Sequence, residues 1–174
     1  MKLGCYKLYE DAILPTFGTE HAACFDIYSY LPLNNTIDCY SVQNTKIKIP
    51  CCPQENDSPR YFEILQGMRV LVPTGLIFDI PKGYSVRIHA RSGLSLKYGI
   101  VLANAEGIID HDYTDPTYIM LTNNSMERHK IYHGERIAQG ELVKKLDYTI
   151  ETCYNKPHIE GSTRLGGFGS TGTT

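Results

Sequence analysis

Two acids alternate in Asp110-His111-Asp112, behind the apolar pair Ile108-Ile109 and ahead of Tyr113. In an extended segment Asp110 and Asp112 point to the same face, and a carboxylate aimed into a cleft polarises a water as general base. A turn with solvated acids is the plainer reading of the same residues. Upstream, the Asn104 amide combines a donor with an acceptor, the pattern that reads a base edge. Ala90-Arg91-Ser92-Gly93 ends an alternating strand and opens a short helical stretch. A helix start presents free N–H donors at a positive dipole end, so with Arg91 and Ser92 beside it the segment is an anion site in miniature. Gly134-Glu135-Arg136-Ile137-Ala138-Gln139 reads as a strand with a charged start, and Asp26, inside Ala23-Cys24-Phe25-Asp26-Ile27, as a buried hydrogen-bonded acid or a metal-linked one. Near the C-terminus, Leu165-Gly166-Gly167-Phe168-Gly169-Ser170-Thr171-Gly172 sets one ring in a glycine lattice. Such a segment turns backbone N–H groups onto phosphate oxygens, adds the Ser170 and Thr171 hydroxyls, and lays Phe168 on a base.

Short strands must position these groups. Val70-Leu71-Val72 stops at Pro73-Thr74-Gly75, Leu76 to Ile80 stops at Pro81-Lys82-Gly83, and Tyr84 to Ala90 alternates at period two. Ile100 to Ala103, Tyr118 to Leu121 and Arg136 to Ala138 continue the pattern. The fold class is all-β, with one short helix over Ser92–Tyr98, Ser92 as its N-cap and Gly99 as its stop. Residues 31–66, rich in Pro and Asn, read as an excursion with a hairpin of its own at Thr45 to Ile49. From Gly161 to Thr174, 11 of 14 residues are Gly, Ser or Thr, a tail that cannot fold alone and is expected to be mobile until something orders it.

The 174 residues carry 17 Lys+Arg against 19 Asp+Glu, a formal charge of −2. This is the length of one domain, and the charge balance argues against nucleic acid or an anionic membrane as partner. Thirteen Tyr, 5 Phe and no Trp, punctuated by 15 Gly and 9 Pro, exclude a long-helix bundle. The six cysteines form no CxxC pair, and Cys51-Cys52 has no His at finger spacing, so they are read as reduced thiols. With no signal core and no membrane-length run, the chain is expected in the cytoplasm, or in a host cell's cytoplasm if it is viral.

Taken in order, the five clusters resemble the five motifs of the trimeric dUTP pyrophosphatases (dUTPases). Cys24-Phe25-Asp26-Ile27 is similar to the first motif's GYDL with Cys for Gly, and Arg91-Ser92-Gly93-Leu94 matches the second. Gly107 to Tyr113 matches the third, Gly134 to Gln139 resembles the fourth with Glu135 for Asp, and Gly166 to Gly172 matches the fifth. The resemblance implies a β-clip, a distorted jelly-roll-like barrel, spanning residues 1–160 with an insertion at about 31–66. It also implies a homotrimer with shared sites and a 161–174 tail that closes over the nucleotide. The implied reaction is Mg²⁺-assisted hydrolysis of dUTP to dUMP, the precursor for thymidylate synthesis, and pyrophosphate. By position, Asp110 orients the attacking water. Asn104 and nearby backbone, Gly107 and Ile109 included, read uracil, while Tyr113 packs on the deoxyribose. Arg91, Ser92, Gly93 and Gln139 hold phosphates, and Asp26 supports the metal through water. Phe168 stacks on the base, and Arg164, Gly169, Ser170 and Thr171 reach the distal phosphates.

Three departures stand out: Thr163-Arg164 where the family has Arg then Gly, Thr114-Asp115-Pro116 where it has Arg-Gly-Glu, and Cys24, expected to alter a structural position only. A deaminase of dCTP on the same fold would need a carboxylate in the strand after the third motif, and Tyr118 to Asn123 holds none. A nucleotide-dependent binding protein that contacts a protein partner through the 31–66 insertion is the second alternative.

Overall fold

The computed structural model describes residues 1–33, 36–53 and 59–161. Its elements run β1 (Gly4–Lys7), β2 (Thr16–Phe17), β3 (Phe25–Tyr28), β4 (Thr36–Tyr40), β5 (Lys46–Pro50), β6 (Tyr61–Ile64), β7 (Arg69–Pro73), β8 (Leu76–Asp79) and β9 (Tyr84–His89). The helix α1 (Ser92–Tyr98) follows, then β10 (Ile100–Leu102), β11 (Gly107–Asp110), β12 (Tyr118–Asn123), β13 (His129–Tyr132) and β14 (Arg136–Lys144). The strands make two five-stranded sheets, β10-β12-β7-β4-β5 and β11-β9-β14-β3-β2, with the small pairs β1-β8 and β13-β6 beside them. All pairings are antiparallel.

Alternation explains the layering. Ile27, Val86, Ile88 and Ile137 from one large sheet and Val70, Val72, Ile119 and Leu121 from the other are buried in one core, and the intervening residues face outward. The result is the all-β, jelly-roll-like architecture expected from the sequence, left open rather than closed on itself. β10 and β11, consecutive in the chain, sit on edges of different sheets and do not pair with each other, so the sheets stay unclosed there.

The 31–66 stretch does contain the hairpin, β4 against β5. Its flanks are built into the body: Leu31, Ile37, Cys39, Phe62 and Ile64 are core residues, β4 pairs with β7, and β6 pairs with β13. The helix occupies the expected residues, but its N-cap is Arg91, with no side-chain cap bond, rather than Ser92. Gly99 ends it as expected, at φ 66°, a left-handed conformation natural to glycine.

Candidate active site

The connection from Ala103 to Glu106 crosses from the edge strand of one sheet to the edge strand of the other, and a cavity of about 280 Å³ opens beside it. Asn104, Gly107, Ile109 and Tyr113 line this cavity together, as the sequence places them, with Ile88, Leu102 and Ile119 among its apolar walls. Gly107 is needed for closeness: a Cβ there would lie 3.0 Å from Ile88 Cβ and 3.6 Å from Asn104 Nδ2. Among the described residues β11 pairs only with β9, so alternate backbone groups of its outer edge remain available to a ligand. Tyr113 is fixed by its N–H donating to the Asp110 carbonyl (3.1 Å) and its hydroxyl to the Pro116 carbonyl (3.2 Å). Burial pushes its phenol pKa up, so the hydroxyl stays protonated.

Asp110 ends β11 opposite Ser85 and is exposed. Its side chain does not line the nucleobase-sized cavity but a separate, larger cleft shared with Lys82, Arg87, Asp112 and Lys144. The next residue anchors the turn, with His111 Nδ1 2.6 Å from the Ile80 carbonyl oxygen.

A second cluster lies on the outer face of β3, β9 and β14. Asp26 is 4% exposed. Arg91 Nε is 3.3 Å from its Oδ1, Arg136 Nη1 donates to its Oδ2 at 3.1 Å, and Gln139 Nε2 donates to Oδ1 at 3.4 Å. Arg91 is further held by Nη1 donating to the Arg136 carbonyl (2.9 Å). Two guanidiniums on one carboxylate leave a net positive site, and the buried Arg91 Nε has no hydrogen-bond acceptor of its own. The net charge suits an arriving anion. Ser92 and Gly93 are exposed at the mouth of α1, and a Cβ on Gly93 would meet nothing within 4 Å, so the chain's own packing does not require glycine there.

Arg136 is the functional candidate that sequence reasoning missed. Arg136 and Gln139 are three apart and would face opposite sides of a regular strand. A register shift between Arg136 and Ala138 puts both on the Asp26 face. Glu135, by contrast, is structural: its carboxylate accepts from the Tyr132 N–H (2.9 Å), in a turn where Gly134 takes φ 74°. Asn123 is a buried strut, its amide donating to the Ile64 and Glu127 carbonyls. Arg164, Phe168, Gly169, Ser170 and Thr171 lie outside the described residues.

The cavity and the anion cluster occupy different surfaces of the chain, one at the open edge between the sheets and the other on an outer face. Residues 57–172 match the family described as dUTPase. The chain is 36% identical over 172 residues to the deoxyuridine 5'-triphosphate nucleotidohydrolase of Hydrogenobaculum sp., covering 99% of each. It is 44% identical over 115 residues to that of Brucella melitensis biotype 1, covering 66% of this chain and 71% of that one. In fold it is similar to the dUTPase of Streptococcus mutans, with TM-score 0.64 at 24% identity over 86% of this chain and 99% of that one. The dUTPase of phage phi11 of S. aureus gives TM-score 0.66 at 17% identity, over 91% of this chain and all of that one (100%). Ordered motifs, site geometry and relatives agree: the chain belongs to the dUTPase family.

Proposed function

We propose that the chain hydrolyses dUTP to dUMP and pyrophosphate, with the cavity at Asn104 as the deoxyuridine pocket. The observation that carries this reading is the lining of that cavity: an amide, the β11 backbone edge and a tyrosine ring, with no carboxylate among its lining residues. Deamination of a cytosine ring would need an acid there. The Asn104 amide and the β11 edge supply paired donors and acceptors for a uracil edge, and the Tyr113 ring packs against the sugar and disfavours a 2′-hydroxyl.

In the reaction, a water beside Asp110 gives up its proton to the carboxylate as its oxygen bonds to the α-phosphorus. The bond to the β-phosphate oxygen breaks in line with the attack, and charge collects on the leaving pyrophosphate. Arg91 and Gln139 meet that charge, the Ser92 hydroxyl adds a donor, and exposed Gly93 lets a phosphate approach the backbone. Phe168, Gly169, Ser170, Thr171 and Arg164 are the tail residues we assign to covering the base and the distal phosphates.

Asp26 is the residue that would support Mg²⁺, through the ion's hydration water. Both Asp26 oxygens are taken by Arg91, Arg136 and Gln139, which suits a carboxylate that meets a hydrated ion through water and does not suit direct coordination. Such an ion would supply neutralisation of the charge that builds on the phosphates during transfer.

Because the pocket and the anion cluster lie on separate surfaces, we propose that one chain's pocket is completed by a neighbour's cluster in a homotrimer. Mixing and re-annealing inactive Asp110→Asn and Arg91→Ala chains tests this. Recovery of dUTP turnover is the expected result. Mixed assemblies as inactive as either parent would show that each site belongs to one chain.

A further inference from the structure

Beside the anion cluster, the outer face of β3, β14 and β9 holds a second set of groups that the proposed reaction does not use. Cys24 precedes β3 by one residue, His89 ends β9, and Glu141 lies in β14. The thiol sulfur, a His89 ring nitrogen and a Glu141 carboxylate oxygen all lie within 4.8 Å of one another. The register explains the meeting. Gln139 stands opposite both His89 and Asp26, and Gly140 opposite Phe25, so the next residues along, Glu141 and Cys24, face each other on the same side of the sheet.

The imidazole is held between two carboxylates, with Nε2 3.5 Å from Glu141 and Nδ1 3.8 Å from Glu106. Arg87, 3.4 Å from Glu106, fixes that second carboxylate. This is the arrangement of a metal-ligating histidine, in which a carboxylate on one ring nitrogen sets the tautomer and turns the other nitrogen to the ion. Thiolate, imidazole and carboxylate together suit a borderline cation at tetrahedral geometry, and a thiolate excludes Mg²⁺. The three donors are half-buried rather than solvated.

We propose that Cys24, Nε2 of His89 and Glu141 bind one Zn²⁺ per chain, with Glu106 orienting the histidine and the fourth position left to water. Binding converts the Cys24 thiol to a thiolate and releases its proton to solvent.

Co²⁺ titration of the full chain in excess Mg²⁺ tests the proposal without reference to turnover. One equivalent should produce tetrahedral d–d absorption and a thiolate-to-cobalt charge-transfer band, and Zn²⁺ should bleach both. Cys24→Ser should abolish the charge-transfer band, whereas Cys153→Ser, at an exposed thiol, should leave it intact. If Cys24→Ser fails to fold, Glu106→Gln serves in its place, with Co²⁺ affinity expected to fall about 10- to 100-fold. The proposal is overturned if no charge-transfer band forms, if the band survives in folded Cys24→Ser, if Glu106→Gln binds Co²⁺ as tightly as the native chain, or if Cys51→Ser or Cys52→Ser is what removes the band.

Discussion

Arg91 Nε sits 3.3 Å from Oδ1 of Asp26, residues 65 positions apart that the β3-β14-β9 register brings together on one face. The pair is buried on the Asp26 side, and the second guanidinium on the same carboxylate, Arg136, is half-exposed. Asp26→Asn therefore leaves Arg91 partly buried and uncompensated. A fully buried broken pair costs about 3–5 kcal/mol, and solvent around Arg136 reduces that to about 2 kcal/mol here. Urea denaturation with an unchanged m-value checks the figure. Arg91→Lys keeps the charge but loses the planar fork, and should lower kcat/KM for dUTP by about 10- to 100-fold.

Asp110→Asn should lower kcat by about 10²- to 10⁴-fold with little change in the Kd for a non-hydrolysable dUTP analogue, because the carboxylate acts on the water and not on the bound nucleotide. Single-turnover rates set beside equilibrium binding separate the two quantities. Equal loss of both would remove Asp110 from the catalytic role.

Stability should fall as pH drops below about 6.5, the ordinary histidine value. Burial lowers the pKa of His129 and of His133, so the folded chain holds both neutral while the unfolded chain takes up protons first. His133 shows the structural reason: its Nδ1 accepts the Leu31 N–H at 3.0 Å, and a proton there removes the acceptor. Tm measured from pH 5 to 7.5 should rise with pH. His133→Asn, whose amide oxygen can accept the same bond, should flatten the curve, and a native Tm independent of pH would contradict this account.

Phe62→Ala should destabilise the fold by about 3–5 kcal/mol. Phe62 is fully buried in the main core although it lies in the Pro/Asn-rich stretch 31–66. Loss below about 1 kcal/mol, read from chemical denaturation, would mean that β6 is peripheral.

What the sequence made legible and what it did not follow from the range of the interactions. β7, β8, β9 and the helix are written locally, in period-two alternation, Pro-Gly turns and a terminal glycine at Gly99. β4 and β6 are short and flanked by Pro and Asn; β4 has a local partner in β5, but long-range pairing with β7 and β13 is what joins β4 and β6 to the body. The cavity residues Asn104 to Tyr113 are neighbours in the chain, so their clustering was visible. The Arg136 contact depends on a bulge, and the Cys24, His89 and Glu141 grouping depends on the register of three strands. No spacing in the sequence announces either. The resemblance supplied the order of the motifs, but it took Cys24 as a silent replacement for glycine, whereas the fold places that thiol beside a histidine and an acid.

Hydrolysis of dUTP at the Asn104–Tyr113 pocket is tested most directly by pyrophosphate release from dUTP, dCTP, dTTP and UTP with and without EDTA. One pyrophosphate and one dUMP per dUTP are expected. For the other three nucleotides kcat/KM should be at least about 100-fold lower, and turnover should be lost in EDTA and restored by Mg²⁺. Comparable turnover of dCTP or UTP, or ammonia released from dCTP, would contradict it.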